Sequence, residues 1–191
     1  TPPHAVAAIF GGLLTKVGVY AMIRVFTLIF TLDPFLENVL IGVAMLTLFS
    51  GAVGALVQRN LQKIFSYLII CHIGFMVAGL GMGTTIALTG AIFYMIHDIV
   101  VKANLFMVGG LLYRINGTSN INRMGGMYAR YPLLSLLMAI PLFSLVGIPP
   151  LSGFWPKLSL IMGGLETGNY VLIGFILFAS FITLFIIAKV W

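Results

Sequence analysis

The segment VLIGFILFASFITLFIIA, residues 171–188, contains no charged residue and shows no alternation of apolar and polar positions. A strand of a membrane β-barrel alternates the two with a period of two residues. Because lipid offers no water to free backbone N–H and C=O groups, a spanning segment of this kind must satisfy them within a helix. The segment LIGVAMLTLFSGAV, residues 40–53, has the same character. Both segments therefore predict α-helices that cross a bilayer.

The whole chain is too apolar for a water-soluble protein. Of its 191 residues, 61% are hydrophobic and only 7% are charged, whereas soluble domains carry about 25% charged residues. The net charge of +6 would fit either a nucleic-acid partner or the cytoplasmic loops of a membrane protein. The apolar composition favours the second, so we expect a lipid bilayer as the surroundings and no nucleic-acid partner.

Six segments reach the length of about 20 apolar residues that a spanning helix needs. They lie at residues 5–32, 36–58, 62–82, 84–112, 132–164 and 169–191. We therefore expect an all-α, polytopic transmembrane helix bundle in which residues 1–191 form a single transmembrane domain. Because the chain starts at Thr1 and lacks a signal-peptide pattern, we expect a fragment of a longer subunit.

The charged residues of the predicted loops fall on two sides of the membrane. One side has only basic residues, namely Arg59, Lys63, Arg114, Arg123, Arg130 and Lys189. The other side has only the acidic residues Asp33, Glu37 and Glu166. Basic loops stay in the cytoplasm, so we expect the loops at 59–63 and 113–131 to be cytoplasmic in a multi-pass protein of the cell membrane.

The fifth segment predicts one discontinuous helix. It is too long for one simple span and too short for two, and its centre contains Gly147, Pro149, Pro150 and Gly153. Proline removes a backbone donor and interrupts the helical hydrogen bonds. Unwound backbone at this depth must line a cavity or be buried in protein, so we expect a helix break at 147–153 with that environment.

Seven ionisable residues lie inside the predicted spans. They are Lys16, Arg24, His72, His97, Asp98, Lys102 and Lys157. Each charge at the bilayer centre costs at least about 2.5–3.5 kcal/mol. We therefore expect each of these residues to have a charged partner, contact with water, or a function that requires the charge. A structural alternative exists for each: Arg24 can reach the interface, and His72 can form a hydrogen bond between helices. We therefore treat these two as accessory residues only.

The fourth span concentrates three of these residues. Asp98 and Lys102 are spaced i, i+4 and share a helix face, where they can neutralise each other as a structural ion pair. His97 points about 100° away and can meet another helix. The functional alternative is a proton relay in which Lys16, His97, Asp98, Lys102 and Lys157 form a polar row near the midplane.

Motifs for cofactor chemistry are absent from the sequence. It has no Walker A loop, no GxGxxG after a strand, no HExxH and no convincing pair of haem-binding histidines. The single cysteine, Cys71, excludes an intramolecular disulfide and a cysteine-based metal cluster. We expect no cofactor and no metal site, and we expect charge movement rather than bond chemistry.

The sequence resembles the proton-antiporter membrane family shared by complex I membrane subunits and Mrp-type cation/proton antiporters. The resemblance rests on segments 1–24, QKIFSYLIICHIGF (62–75), IHDIVVKANLFMVGGLLYR (96–114), GTSNINRMGG (117–126) and SLVGIPPLSGFWPK (144–157). It implies a fold of about fourteen helices built from two inverted repeats, of which this chain would supply helices eight to thirteen. The family's key glutamate and lysine of the fifth and seventh helices have no counterpart here.

The resemblance also implies roles for individual residues. Lys16 matches the lysine of the family's eighth helix, Lys157 matches the ionisable residue of its broken twelfth helix, and residues 97–102 match its eleventh helix. Two positions depart from the family: Asp98 stands where relatives usually have a second histidine, and His72 stands where many have glutamine. The details of a relay through these two positions are therefore open.

The resemblance implies a subunit that exchanges Na⁺ or K⁺ for protons beside other membrane subunits of a hetero-oligomeric complex. The alternative is a proton-pumping subunit of a respiratory NADH–quinone oxidoreductase or membrane hydrogenase complex, the one case in which an enzyme would be involved. A third possibility is a structural scaffold whose charges only join helices. A scaffold would tolerate Lys16→Arg, whereas a relay would not, because arginine does not release its proton.

Overall fold

The computed structural model describes residues 4–30 and 33–191, which are mostly helical. Among these residues no β-strand forms beyond one isolated bridge between Asn60 and Asn120. The all-α fold predicted from the sequence is confirmed. Residues 1–3 of the family-like segment and residues 31 and 32 of the first predicted span lie outside the described residues.

The helices follow the predicted spans closely. In chain order they are α1 (His4–Ile9), a π-helical turn (Phe10–Leu14), α2 (Thr15–Leu28), α3 (Pro34–Val57), α4 (Leu61–Gly81), α5 (Thr85–Asn116), a 3₁₀ turn (Ile121–Arg123), α6 (Met127–Arg130), α7 (Pro132–Val146), α8 (Phe154–Glu166) and α9 (Tyr170–Val190). Within the described residues, five helical segments are long and apolar enough to cross a membrane. The remaining predicted span consists of the two shorter helices α7 and α8.

Polar side chains cap the starts of two long helices, and a glycine ends one of them. The Asn60 side chain accepts hydrogen bonds from the backbone of Gln62 and Lys63 at the start of α4. The Thr84 hydroxyl accepts from the Ala87 N–H at the start of α5, and Gly117, with φ +68°, ends that helix. These side chains satisfy backbone donors that a helix leaves free at its first turn.

The break between α7 and α8 covers the predicted residues 147–153. Gly147 ends α7 with φ +88°, a conformation that glycine adopts without steric cost. Gly153 is buried, but Pro149 and Pro150 are exposed on the surface of this chain. The inner edge of the break is therefore buried in protein, whereas the environment expected for its outer edge stays a prediction.

The loops meet in pairs at the two ends of the bundle. At one end, Leu61 N donates to Ser119 O at 2.9 Å and Ile121 N donates to Arg59 O at 3.0 Å, which joins the two basic loops. At the other end, Gly83 lies close to Glu37, since a Cβ added to Gly83 would be 2.9 Å from Glu37 Oε1. The separation of basic and acidic loops that the sequence predicts is therefore reproduced for these loops.

The core lies around α4, which is the most enclosed of the long helices and packs against α3, α5, α8 and α9. Gly51 of α3 faces the backbone of Cys71 so closely that a Cβ at this position would collide with it. Small residues allow such close approach between membrane helices. Large apolar side chains such as Phe181 and Leu46 instead remain exposed, as expected on a face toward lipid.

Candidate functional site

Asp98 of α5 is the centre of a charged cluster built from three helices. Its Oδ2 lies 2.6 Å from Lys16 Nζ of α2, and its Oδ1 lies 2.6 Å from His72 Nδ1 of α4. All three side chains are buried, with exposed fractions of 2% or less. Because an isolated buried charge is very unfavourable, these contacts hold α2, α4 and α5 together. We call Lys16, His72 and Asp98 the carboxylate cluster.

The π-helical turn before α2 positions Lys16. Lys16 Nζ donates a hydrogen bond of 3.0 Å to the carbonyl oxygen of Gly11 within this turn. A Cβ on Gly11 would lie 2.7 Å from the Phe106 ring of α5, so a larger residue here would force that ring to move. The widened turn thus brings the chain against α5 and holds the ammonium group next to the carboxylate.

Lys102 lies one turn after Asp98 and is fully buried, yet it forms no ion pair with Asp98. The structural ion pair that the i, i+4 spacing allows does not form, and both oxygens of Asp98 instead contact Lys16 and His72. Lys102 Nζ has no hydrogen-bond partner among the described residues. A buried amine in this state is free to bind water or to exchange a proton.

His97 points away from Asp98 and reaches the helix break, as its position on α5 predicts. Its Nδ1 lies 3.0 Å from Ser152 Oγ, and Ser152 Oγ lies 3.1 Å from Ser144 Oγ. Ser152 is exposed, whereas Ser144 and His97 are buried. Hydroxyl groups both donate and accept, so this hydrogen-bonded series leads from the interior to the break. We call His97, Ser152 and Ser144 the serine chain.

Lys157 of α8 binds the end of α7. Its Nζ donates to the carbonyl oxygens of Val146 at 2.7 Å and Leu145 at 3.3 Å, and it lies 5.1 Å from the centre of the Phe75 ring. The last carbonyls of a helix lack partners within that helix and carry its negative dipole end. The break therefore creates the site for this buried ammonium group, which is 6% exposed.

The two accessory residues, His72 and Arg24, have different surroundings in the structure. His72 joins the carboxylate cluster and forms the expected hydrogen bond between helices. Arg24 is exposed and lies 6.0 Å from the centre of the Tyr20 ring, away from the cluster contacts. The structural interpretation of Arg24 therefore stays a prediction.

Sequence reasoning missed three residues at this site. Ser144 and Ser152 flank the helix break but are common residue types there, and only the structure shows their link to His97. Tyr94 is fully buried, with its ring 5.4 Å from that of His72 and 5.9 Å from that of His97. Its position one turn before His97 and Asp98 was the available signal.

Several polar atoms in this region lack a hydrogen-bond partner among the described residues. They are His72 Nε2, Tyr94 Oη, His97 Nε2, Lys102 Nζ and Asp98 Oδ2, the last of which contacts Lys16 as an ion pair but not as a hydrogen bond. No hydrogen bond or ion pair between described residues joins the carboxylate cluster to the serine chain. Residues 4–30 and 33–191 also contain no group of three or more His, Cys, Asp and Glu side chains arranged to hold a metal ion.

The chain is similar along its whole length to known membrane proteins. It is 46% identical over 191 residues to the D-type subunit of the Na(+)/H(+) antiporter from Alkalihalophilus pseudofirmus, covering 100% of this chain and 39% of that relative. The D-type subunit of Mrp antiporters is also the kind of relative that GTSNINRMGG (117–126) and GIPPLSGFWPK (147–157) indicate. This chain therefore spans about two fifths of the length of the relative it matches.

Solved structures share the fold. A chain in the Mrp complex of a Dietzia species superposes with a TM-score of 0.94 at 33% identity, covering 99% of this chain and 35% of the other. A chain in respiratory complex I of Thermus thermophilus superposes with a TM-score of 0.86 at 25% identity, covering 99% and 41%. The family model for the transmembrane region of NADH:quinone oxidoreductase and Mrp antiporter proteins matches residues 1–183. The chain therefore belongs to the NADH:quinone oxidoreductase/Mrp antiporter transmembrane family.

Proposed function

We propose that this chain is part of a membrane subunit that exchanges Na⁺ or K⁺ for protons within a hetero-oligomeric antiporter complex. Residues 1–191 act in it as one transmembrane unit. The observation that carries the proposal is the contact of Lys16, Asp98 and His72, three ionisable groups from three helices, in the buried core. Similarity to a Na(+)/H(+) antiporter subunit over the whole chain supports it.

The contacts of the carboxylate cluster allow a proton to move between helices. The 2.6 Å contact lets the Lys16 ammonium give a proton to Asp98 Oδ2, which leaves both groups neutral. Asp98 Oδ1 is 2.6 Å from His72 Nδ1. An imidazole in the tautomer that carries its proton on Nε2 can therefore accept the proton at Nδ1, once the carboxyl group has turned to bring its protonated oxygen to that nitrogen. A neutral intermediate of this kind avoids an unpaired buried charge. Lys102, whose amine has no hydrogen-bond partner among the described residues, is the next acceptor on α5.

The second half of the row leads to the helix break. His97 passes a proton to Ser152 and Ser144 through hydrogen bonds of 3.0 and 3.1 Å. Lys157 lies at the end of the same helix α7 and alters the local charge when it gains or loses a proton. In this proposal the row of Lys16, Asp98, Lys102, His97 and Lys157 carries protons across the interior of the chain, although no direct hydrogen bond between described residues joins its two halves. In the cell membrane, the basic loops at 59–63 and 113–131 face the cytoplasm.

Alanine variants of the two lysines at the ends of the row test this proposal. Lys16→Ala and Lys157→Ala are introduced into the full-length subunit, and proton movement driven by Na⁺ or K⁺ is followed with a pH-sensitive dye in vesicles. Each variant should abolish exchange while the complex still assembles. Lys63→Ala, an exposed lysine at the start of α4, is the matched control. Undiminished exchange in both buried variants rejects the proposal.

A second candidate is a proton-pumping subunit of a respiratory or hydrogenase complex, because a complex I chain shares the fold with a TM-score of 0.86. The same residues would move protons, but the driving reaction would occur in partner subunits. Purification of the native complex separates the two candidates. Co-purifying small membrane subunits alone indicate the antiporter, whereas co-purifying iron–sulfur subunits indicate the respiratory complex.

A further inference from the structure

Tyr94 has a hydroxyl group that packing does not explain. The residue lies on α5 with an exposed fraction of 0%, and its Oη has no hydrogen-bond partner among the described residues. Burying a hydroxyl group without a partner is unfavourable. A phenylalanine would fill the same space, including the contact with the Phe75 ring at 5.3 Å, without this penalty. The hydroxyl therefore needs a partner other than the described side chains.

Two imidazole rings with free nitrogens contact the Tyr94 ring. The ring of His72 lies 5.4 Å away and that of His97 lies 5.9 Å away, measured between ring centres. Both histidines use Nδ1 in a hydrogen bond, to Asp98 and Ser152 respectively, and their Nε2 atoms have no partner within the described part of the chain. Tyr94 thus lies between the carboxylate cluster and the serine chain, which no direct hydrogen bond between described residues joins.

Water has the hydrogen-bonding chemistry that these buried groups without partners need. Buried water typically makes about three hydrogen bonds to polar groups that otherwise lack partners. A hydroxyl and an imidazole nitrogen can each donate or accept, so water satisfies them in any tautomer. A metal cation does not fit, because the nearby carboxylate of Asp98 is already occupied by Lys16 and His72.

We propose that Tyr94 is a positioning residue whose hydroxyl binds a buried water that connects His72 with His97. The water joins the carboxylate cluster to the serine chain and completes the route of the proton across the interior. This inference rests on the proposed function for its effect on transport, but the bound water itself does not depend on transport.

Removal of the single hydroxyl tests the proposal. Tyr94→Phe is introduced into the full-length subunit in its complex, and cation-driven proton movement is measured in vesicles together with thermal stability. We expect exchange to fall at least about tenfold, in line with the loss of one proton-transfer group, while thermal stability falls only slightly, because a single hydrogen bond is lost. Tyr67→Phe, a partly exposed tyrosine of α4, is the control. Unchanged exchange in Tyr94→Phe overturns the role in transport.

A parallel measurement separates failure of this inference from failure of the proposed function. X-ray hydroxyl-radical footprinting labels side chains next to bound water, and we expect labelling at Tyr94 and His97 that falls at His97 in Tyr94→Phe. No labelling at either residue overturns the bound water. If Lys16→Ala abolishes exchange and Tyr94→Phe does not, only the Tyr94 proposal fails. If Lys16→Ala leaves exchange intact, the proposed function fails, and footprinting still decides whether Tyr94 binds water.

Discussion

Asp98→Asn should separate the electrostatic and the transport roles of the carboxylate cluster. Asparagine has nearly the same size, and its carbonyl oxygen can still accept a hydrogen bond from His72 Nδ1. Its amide nitrogen cannot accept from Lys16, so the 2.6 Å ion pair is lost. The Lys16 ammonium group, 2% exposed, then remains buried without a counter-charge.

The size of the effect follows from the geometry. Two unit charges 2.6 Å apart attract by about 6 kcal/mol at an effective dielectric constant of about 20. Part of this energy offsets the cost of removing the charges from water, and breaking one side of a buried ion pair typically costs about 3–5 kcal/mol. We expect Asp98→Asn to lower the free energy of unfolding by that amount and to abolish exchange.

The double variant Asp98→Asn/Lys16→Gln supplies the decisive comparison. Removing the unpaired ammonium group should restore about 1–3 kcal/mol of stability, because the two residues are in direct contact. Exchange should stay lost. Stability is measured by unfolding of the purified complex in mixed detergent micelles, with Glu166→Gln, an exposed carboxylate, as control. If Asp98→Asn alone unfolds no more easily than the control, the buried ion pair is refuted.

Three further predictions follow from individual contacts. Ser152→Ala should reduce exchange, whereas Ser152→Thr should retain it, because only threonine keeps a hydroxyl group beside His97. Equal exchange in vesicles for the two variants would contradict the serine chain. Gly51→Val should lower the free energy of unfolding by at least about 1–3 kcal/mol, because the added side chain collides with the backbone of α4. The control is Gly42→Ala on the same helix, where a Cβ meets nothing within 4 Å, and this variant should melt at the same temperature as the unaltered protein. Arg24→Gln should leave cation-driven proton movement unchanged, since Arg24 is exposed, and a complete loss would place it in the proton route.

Much of the fold could be predicted from the sequence because the bilayer imposes one dominant constraint. Segments of about 20 apolar residues give the helices, and loop charges give the two ends. The break at 147–153 was predictable because two prolines and two glycines cannot continue a helix. The exposure of Pro149 was not predictable, because it depends on how α7 and α8 pack against the other helices.

The site was predictable in its residue types but not in its pairing. Ionisable residues in apolar spans are conspicuous, so the buried ionisable residues were identified without coordinates, whereas their role in a proton row stays a prediction. Spacing along one helix favoured Lys102 as the partner of Asp98, yet Lys16 reaches the carboxylate from another helix through a π-helical turn. Ser152 carries no distinct sequence signal, because a serine beside a helix break is ordinary, and Tyr94 is marked only by its position one turn before His97 and Asp98.

The central claim is that buried side chains of this chain gain and release protons. The most direct test is cation-driven proton movement in vesicles that contain the complex with Lys16→Arg, with Lys63→Arg as control. Arginine keeps the positive charge beside Asp98 but does not release its proton. The account predicts an assembled complex with no exchange in Lys16→Arg and normal exchange in the control. Normal exchange in Lys16→Arg would show that the charge only joins helices and would contradict the account.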